Sequence, residues 1–187
     1  MRFVSPCPIC GGTLVVAYDI ESLKELSPAD LRGDSLWRYA PFLPIKESRN
    51  RVSLGEGLTP LLEVARLGRD FGLPGLRVKF EGTNPTGSIK DRSSATAVSH
   101  ALEAGYSRVA VISTGNAASS IAAYAARAGL TSVIFTYDRT APAKLGQVDA
   151  SASHVVVYRG TFDDMSAIYS RLLETFRLYD AGPFHNP

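Results

Sequence analysis

Residues 81–92, which read Glu-Gly-Thr-Asn-Pro-Thr-Gly-Ser-Ile-Lys-Asp-Arg, decide how the rest of this chain is interpreted. The stretch begins as a loop, because its Asn-Pro and Thr-Gly pairs are turn formers. It ends as the start of a helix, in which Ser88 is predicted to cap the free backbone N–H groups and Asp91 to complete a capping-box pair. Lys90 therefore lies in the first helical turn.

The position of Lys90 suits one kind of chemistry. A cation at the start of a helix opposes the helix dipole, which favours the neutral amine, and a neutral amine attacks an aldehyde. The small residues Gly87 and Ser88 leave room for a flat ring beside it. These features indicate a lysine that forms a Schiff base with pyridoxal phosphate (PLP). From this stretch alone, a surface lysine at a helix start is the alternative.

A second stretch, Ser113-Thr114-Gly115-Asn116, changes that balance. It follows an apolar run at 109–112 and precedes a predicted helix of small residues, 117–128. Asn116 is a good N-cap, and its amide can also bond a ring hydroxyl. Lysine, helix, strand and Gly-Asn turn in this order, with this spacing from Lys90, resemble the fold-type II family of PLP enzymes.

Within that family, the Asn-Pro-Thr-Gly-Ser-x-Lys-Asp-Arg segment most resembles threonine synthase. The segments Leu-Trp-Arg-Tyr at 36–39 and Leu-Gly-Glu-Gly-Leu-Thr-Pro-Leu at 54–61 agree with that resemblance. It implies that Lys90 binds PLP, that Asn116 holds the ring, and that the substrate is a small amino acid, O-phospho-L-homoserine, converted with water to L-threonine and phosphate. The candidates for binding the substrate are Asn84, Thr86, Ser88, Ser113 and Thr114.

The chain also departs from the threonine synthase pattern. Ala117 stands where many threonine synthases have a hydroxyl residue that could touch the substrate phosphate. Family members are roughly twice as long, and their glycine-rich phosphate loop lies downstream of anything present here. The resemblance therefore implies an N-terminal half, homodimeric when complete. Serine/threonine dehydratase, the cysteine-synthase group and a non-catalytic remnant domain are the alternatives.

The spacing of apolar runs predicts an α/β fold. Strands at 59–64 and 76–80 flank a helix at 65–71, and the second strand leads into the lysine loop. From Lys90 a helix runs to about 104, and buried runs follow at 108–113, 133–135 and 155–157. Runs repeating at the length of strand–helix units predict a parallel sheet with helices on both faces.

Three regions are predicted. Residues 1–57 form a zinc-ribbon-like knuckle and an extended arm, 58–92 the first strands of a large domain with the lysine loop, and 93–187 a small α/β domain. Ser27-Pro28 is predicted to open a short helix. Cys7 and Cys10 form one knuckle before a predicted strand, but a structural zinc site needs four ligands. The sequence therefore predicts no tightly bound zinc.

The overall composition limits the partners. A net charge of +2, from scattered basic residues, gives no argument for binding to nucleic acid or to a membrane. The N-terminus lacks the apolar core of a signal peptide. Two cysteines without a secretion signal favour a reducing cytoplasm.

Overall fold

The lysine loop joins two separate sheets. The computed structural model describes residues 7, 9, 10, 12, 17–152 and 154–182. Its strands are β1 Leu61–Glu63, β2 Arg77–Lys79, β3 Arg108–Ile112, β4 Thr131–Tyr137, β5 His154–Tyr158 and β6 Tyr179–Asp180. Its α-helices are α1 Ile20–Leu23, α2 Ala65–Asp70, α3 Lys90–Glu103, α4 Asn116–Ala128, α5 Pro142–Asp149 and α6 Phe162–Thr175.

The larger sheet has four strands in the order β5-β4-β3-β6. All three neighbouring pairs are parallel, and Ala110, Val133 and His154 lie side by side across β3, β4 and β5. The predicted parallel sheet is therefore confirmed. β6, which returns to pair with β3, was not predicted from the sequence.

Helices cover both faces of this sheet, as predicted. Val109 and Val111 of β3 pack into a cluster with residues of α3 and α4, whereas Ala110 between them packs on the opposite face with Met165 and Tyr169 of α6. This alternation follows from the two-residue period of a strand. Burying one aliphatic side chain fully in such a core stabilises the folded protein by roughly 1.5–3 kcal/mol relative to leaving it exposed.

The smaller sheet is an antiparallel pair of β1 and β2, connected through α2. The two predicted strands and the helix between them are confirmed, each slightly shorter than predicted. All three residues of β1 are exposed. β2 ends two residues before Glu81 and so places the lysine loop directly after the sheet.

The arm at 36–57 is not the extended segment that was predicted. It contains 3₁₀ helices at Leu36–Phe42 and Ser48–Asn50. The Ser35 hydroxyl starts the first of them by accepting a hydrogen bond from Trp37 N at 3.3 Å. A local bond from a serine side chain to the backbone stabilises a turn over extended backbone, here at the start of a proline-containing segment.

The helix predicted at Ser27-Pro28 is also wrong. The Asp30 carboxylate accepts bonds from Ser27 N at 2.9 Å and from Ser27 Oγ at 2.7 Å, which closes an isolated turn. The nearby helix is α1, upstream of that turn. A serine bonded locally by an aspartate competes with helix propagation.

Candidate active site

Lys90 is the first residue of α3, and its side chain is exposed. Ser88 Oγ accepts a hydrogen bond from Lys90 N at 3.2 Å, so the predicted capping role of this buried serine is confirmed. Ile89 occupies the formal N-cap position. The sequence of turn residues thus delivers an amine to solvent at the start of a helix.

Asp91 does not complete a capping box with Ser88. Its fully buried carboxylate accepts a bond from Thr86 N at 2.7 Å, a second from Thr86 Oγ1, and a third from Ser120 Oγ of α4 at 2.6 Å. A buried charge is tolerated only when it is hydrogen-bonded, and these three bonds meet that need. Since they come from both Thr86 and Ser120, they tie the lysine loop to α4. Gly87, at φ +80°, supplies the left-handed residue that the turn requires.

Asn84 is buried and uses its amide within the chain. Its Nδ2 donates to Glu81 O and to Glu81 Oε2, both at 2.9 Å, while its Oδ1 accepts from Gly57 N at 3.0 Å. Glu81 is held in turn by an ion pair with Arg92, with 2.8 Å between Arg92 Nε and Glu81 Oε2. These contacts make Asn84 an anchor of the loop.

The Gly-Asn turn lies at the carboxyl end of β3. Asn116 is the first residue of α4 and Gly115 precedes it as the N-cap, so the predicted capping role of Asn116 is wrong. Ser113 Oγ accepts a bond from Gly115 N at 3.2 Å, and Thr114 is exposed. The side chain of Asn116 is also exposed, which leaves its amide outside the helix cap.

A chain of contacts through α5 joins this turn to the lysine loop. Lys144 Nζ donates to Asn116 Oδ1 at 2.6 Å and to Gln147 Oε1 at 3.5 Å. Gln147 Nε2 then donates to Thr86 O at 3.2 Å. The structure therefore brings the predicted residues Asn116 and Thr86 together through two residues that the sequence analysis missed.

A second buried carboxylate fixes the arm. Glu56 has no exposed surface and accepts bonds from Tyr124 OH at 2.7 Å and from Leu54 N at 3.0 Å. Burial, and then the bond to Glu56, raise the pKa of Tyr124 well above its usual range. Glu56 and Asp91 thus bind Tyr124 and Ser120, one helical turn apart on α4.

The donor set fits PLP in part. The site offers an exposed amine for the aldehyde at Lys90 and an exposed amide for the ring hydroxyl at Asn116, on two turns tied together through α5. Hydroxyl groups of Ser113 and Thr114 line the same strand end. Ligands of open α/β sheets bind at this end of the strands.

The described residues add three findings on features outside this site. They hold no group of three or more His, Cys, Asp or Glu side chains that could bind a metal ion. Backbone N–H groups of Cys10 and Ile9 lower the pKa of the Cys7 thiol, but the strand predicted after this knuckle lies largely outside the described residues. Within the described ranges, no helix is long and apolar enough to cross a membrane.

Comparison with known proteins gives the family. Residues 52–187 match the family described as pyridoxal-phosphate dependent enzyme. The chain is 38% identical over 174 residues to threonine synthase of Methanocaldococcus jannaschii, covering 91% of this chain and 43% of that protein. It is 42% identical over 130 residues to threonine synthase of Bacillus sp. strain ULM1, covering 69% and 37%. The chain thus spans about two fifths of the length of these relatives.

Solved structures agree on the fold. O-ureido-L-serine synthase superposes with a TM-score of 0.59 at 24% identity, over 66% of this chain and 40% of that one. Diaminopropionate ammonia lyase from Escherichia coli superposes with a TM-score of 0.62 at 17% identity, over 71% and 39%. The predicted fold-type II architecture is confirmed.

Proposed function

Since this chain belongs to the pyridoxal-phosphate dependent enzymes, we propose that it carries the cofactor-attaching part of a threonine synthase. The complete enzyme converts O-phospho-L-homoserine and water to L-threonine and phosphate, as a cytoplasmic homodimer. The observation that carries the proposal is the bonded path from Asn116 through Lys144 and Gln147 to Thr86. The identities of 37–42% to threonine synthases support the choice of reaction.

Each predicted site residue has a role in this proposal. PLP, when bound, supplies the electron sink for the reaction. Lys90 Nζ would hold the cofactor at its aldehyde carbon and would carry protons between substrate carbons. Asn116 bonds the ring hydroxyl, while Ser113 and Thr114 bind the substrate carboxylate. Thr86 and Ser88 shape the loop beside the substrate amine, and Asn84 holds that loop in place.

The first prediction is that Lys90 is the attachment site. After incubation with PLP and reduction with borohydride, peptide mapping is expected to find the label on Lys90, because this amine is exposed at the start of α3, on the loop that α5 ties to the Gly-Asn turn. Lys90→Ala should abolish the label, and Lys46→Ala, at a site remote from the loop, should keep it. A label on Lys79 or Lys144, with none on Lys90, would refute the assignment.

A further inference from the structure

Lys144 lies on the bonded path between the two turns of the site, but the roles proposed above assign it none. It lies on α5, half-buried, and its Nζ approaches Asn116 Oδ1 to 2.6 Å. An ammonium group only donates hydrogen bonds, so the amide oxygen must face Lys144. The Nδ2 group of Asn116 must then point the other way.

The contact is one of two that α5 makes with the site. Gln147 lies three residues later, on the same face of the helix, and its amide reaches the Thr86 carbonyl at 3.2 Å. One helix therefore holds both turns of the site. Asn116 is exposed, and among the described residues its side chain is held by the hydrogen bond from Lys144.

We infer that Lys144 is a positioning residue, which holds the Asn116 amide with Nδ2 directed at the phenolic oxygen of the PLP ring. The inference rests on the proposed function, because it needs PLP as the ligand. Without the ammonium group, the amide could rotate and present its oxygen to the ring oxygen, where two acceptors repel. The charge of Lys144 also favours the ionised form of the ring hydroxyl.

The first test uses the cofactor-free 187-residue chain. The Asn116 side-chain amide is observed by nitrogen–proton NMR in the wild type, Lys144→Met, Lys144→Arg and Lys46→Met. We expect Lys144→Met to shift the Asn116 signals and to lower their heteronuclear NOE, because the exposed amide becomes free to rotate on the picosecond–nanosecond timescale. Lys144→Arg, which retains a donor, and Lys46→Met should leave the heteronuclear NOE at its wild-type value. Unchanged signals in Lys144→Met would overturn the inference.

The second test adds PLP and follows visible absorption against pH. We expect Lys144→Met to raise by about one unit the pH at which the absorption change of the bound cofactor is half complete. The variant loses a nearby cation and misplaces the Asn116 amide, so Lys144→Arg should restore the wild-type midpoint. In the Asn116→Ala background the effect of Lys144→Met should shrink, because a residue acting through Asn116 couples to it. An equal shift in both backgrounds would overturn the inference. Absence of any cofactor band in the wild type would instead refute the proposed function, and the amide signals would still decide whether Lys144 orients Asn116.

Discussion

At the scale of single residues, Glu81 makes the fold sensitive to acid. Its hydrogen bond with Arg92 lowers the pKa of the Glu81 carboxyl to about 2, with smaller contributions from Thr59 and Asn84. A carboxyl whose pKa is lowered by folding stabilises the folded protein at pH values above its unfolded-state pKa, about 4.3. This stabilisation is lost as the pH falls through the folded-state pKa. We therefore expect a loss of stability between about pH 4.5 and pH 2.

Urea unfolding over that pH range measures the effect. The stability difference between the wild type and Glu81→Gln should be largest near neutral pH and should disappear towards pH 2. Glu63→Gln, which breaks an exposed ion pair with Arg77, is the control and should change stability by less than about 1 kcal/mol at any pH. A difference for Glu81→Gln that stays constant with pH would contradict the assignment.

At the scale of elements, α4 organises the site, because its Ser120 and Tyr124 bind the two buried carboxylates. Tyr124→Phe leaves the Glu56 carboxylate without its tyrosine donor in a place that water does not reach. We expect it to cost about 1–3 kcal/mol of unfolding free energy. Tyr18→Phe, which removes an exposed hydroxyl bonded to Phe42 O, should cost less than about 0.5 kcal/mol. Equal effects of the two variants, measured by chemical denaturation, would show that the Glu56 contact is unimportant.

At the scale of the whole molecule, the region of β1, α2 and β2 exposes several large apolar side chains. Leu61, Phe71 and Leu73 are 58%, 70% and 53% exposed, and where such side chains form one patch it marks a surface that another part of a protein covers. In the proposed function, the remainder of the large domain covers it and supplies the glycine-rich loop for the PLP phosphate.

The isolated chain is therefore expected to turn over O-phospho-L-homoserine at least about a hundredfold more slowly than a complete threonine synthase, since small misplacements of bound groups cost about that much. Phosphate release with PLP present measures this, for the chain alone and with the C-terminal part of a relative added. The Lys90→Ala variant with the same addition is the control. Full Lys90-dependent turnover by the chain alone would contradict the prediction.

The fold could largely be predicted because its signals are local. Short apolar runs at the spacing of strand–helix units predict the parallel sheet, and the turn residues around Gly87 predict where α3 begins. β6 escaped prediction because two residues carry no periodicity, and only pairing with β3 makes them a strand. The second 3₁₀ turn of the arm lies against α3, where Glu103 Oε1 accepts hydrogen bonds from Lys46 N and Glu47 N, and this contact lies far away in the sequence.

The candidate site was predicted less completely. Lys90 and Asn116 stand in recognisable turns at the starts of α3 and α4, so their residue types and spacing single them out as candidates, and their roles stay predictions. The predicted role of Asp91 was wrong because a tertiary contact, with Ser120 of α4, fixes the position of its carboxylate. In that position the carboxylate bonds Thr86 and not Ser88. Lys144 and Gln147 were missed for the same reason, since nothing in their local sequence shows which turns α5 approaches.

The pairing of β6 with β3 has a consequence for the order in which the molecule assembles. Val109 of β3 pairs with Tyr179 of β6, although β4, β5 and three helices lie between the two residues along the chain. By contrast, only α4 lies between β3 and its other partner, β4. Closing the longer loop costs more entropy, so we expect the β3–β4 pair with α4 to form early and β6 to dock late. During synthesis, one edge of β3 would then stay unpaired until residues 179–180 emerge, and we expect mispairing of the nascent chain to be easiest at that edge.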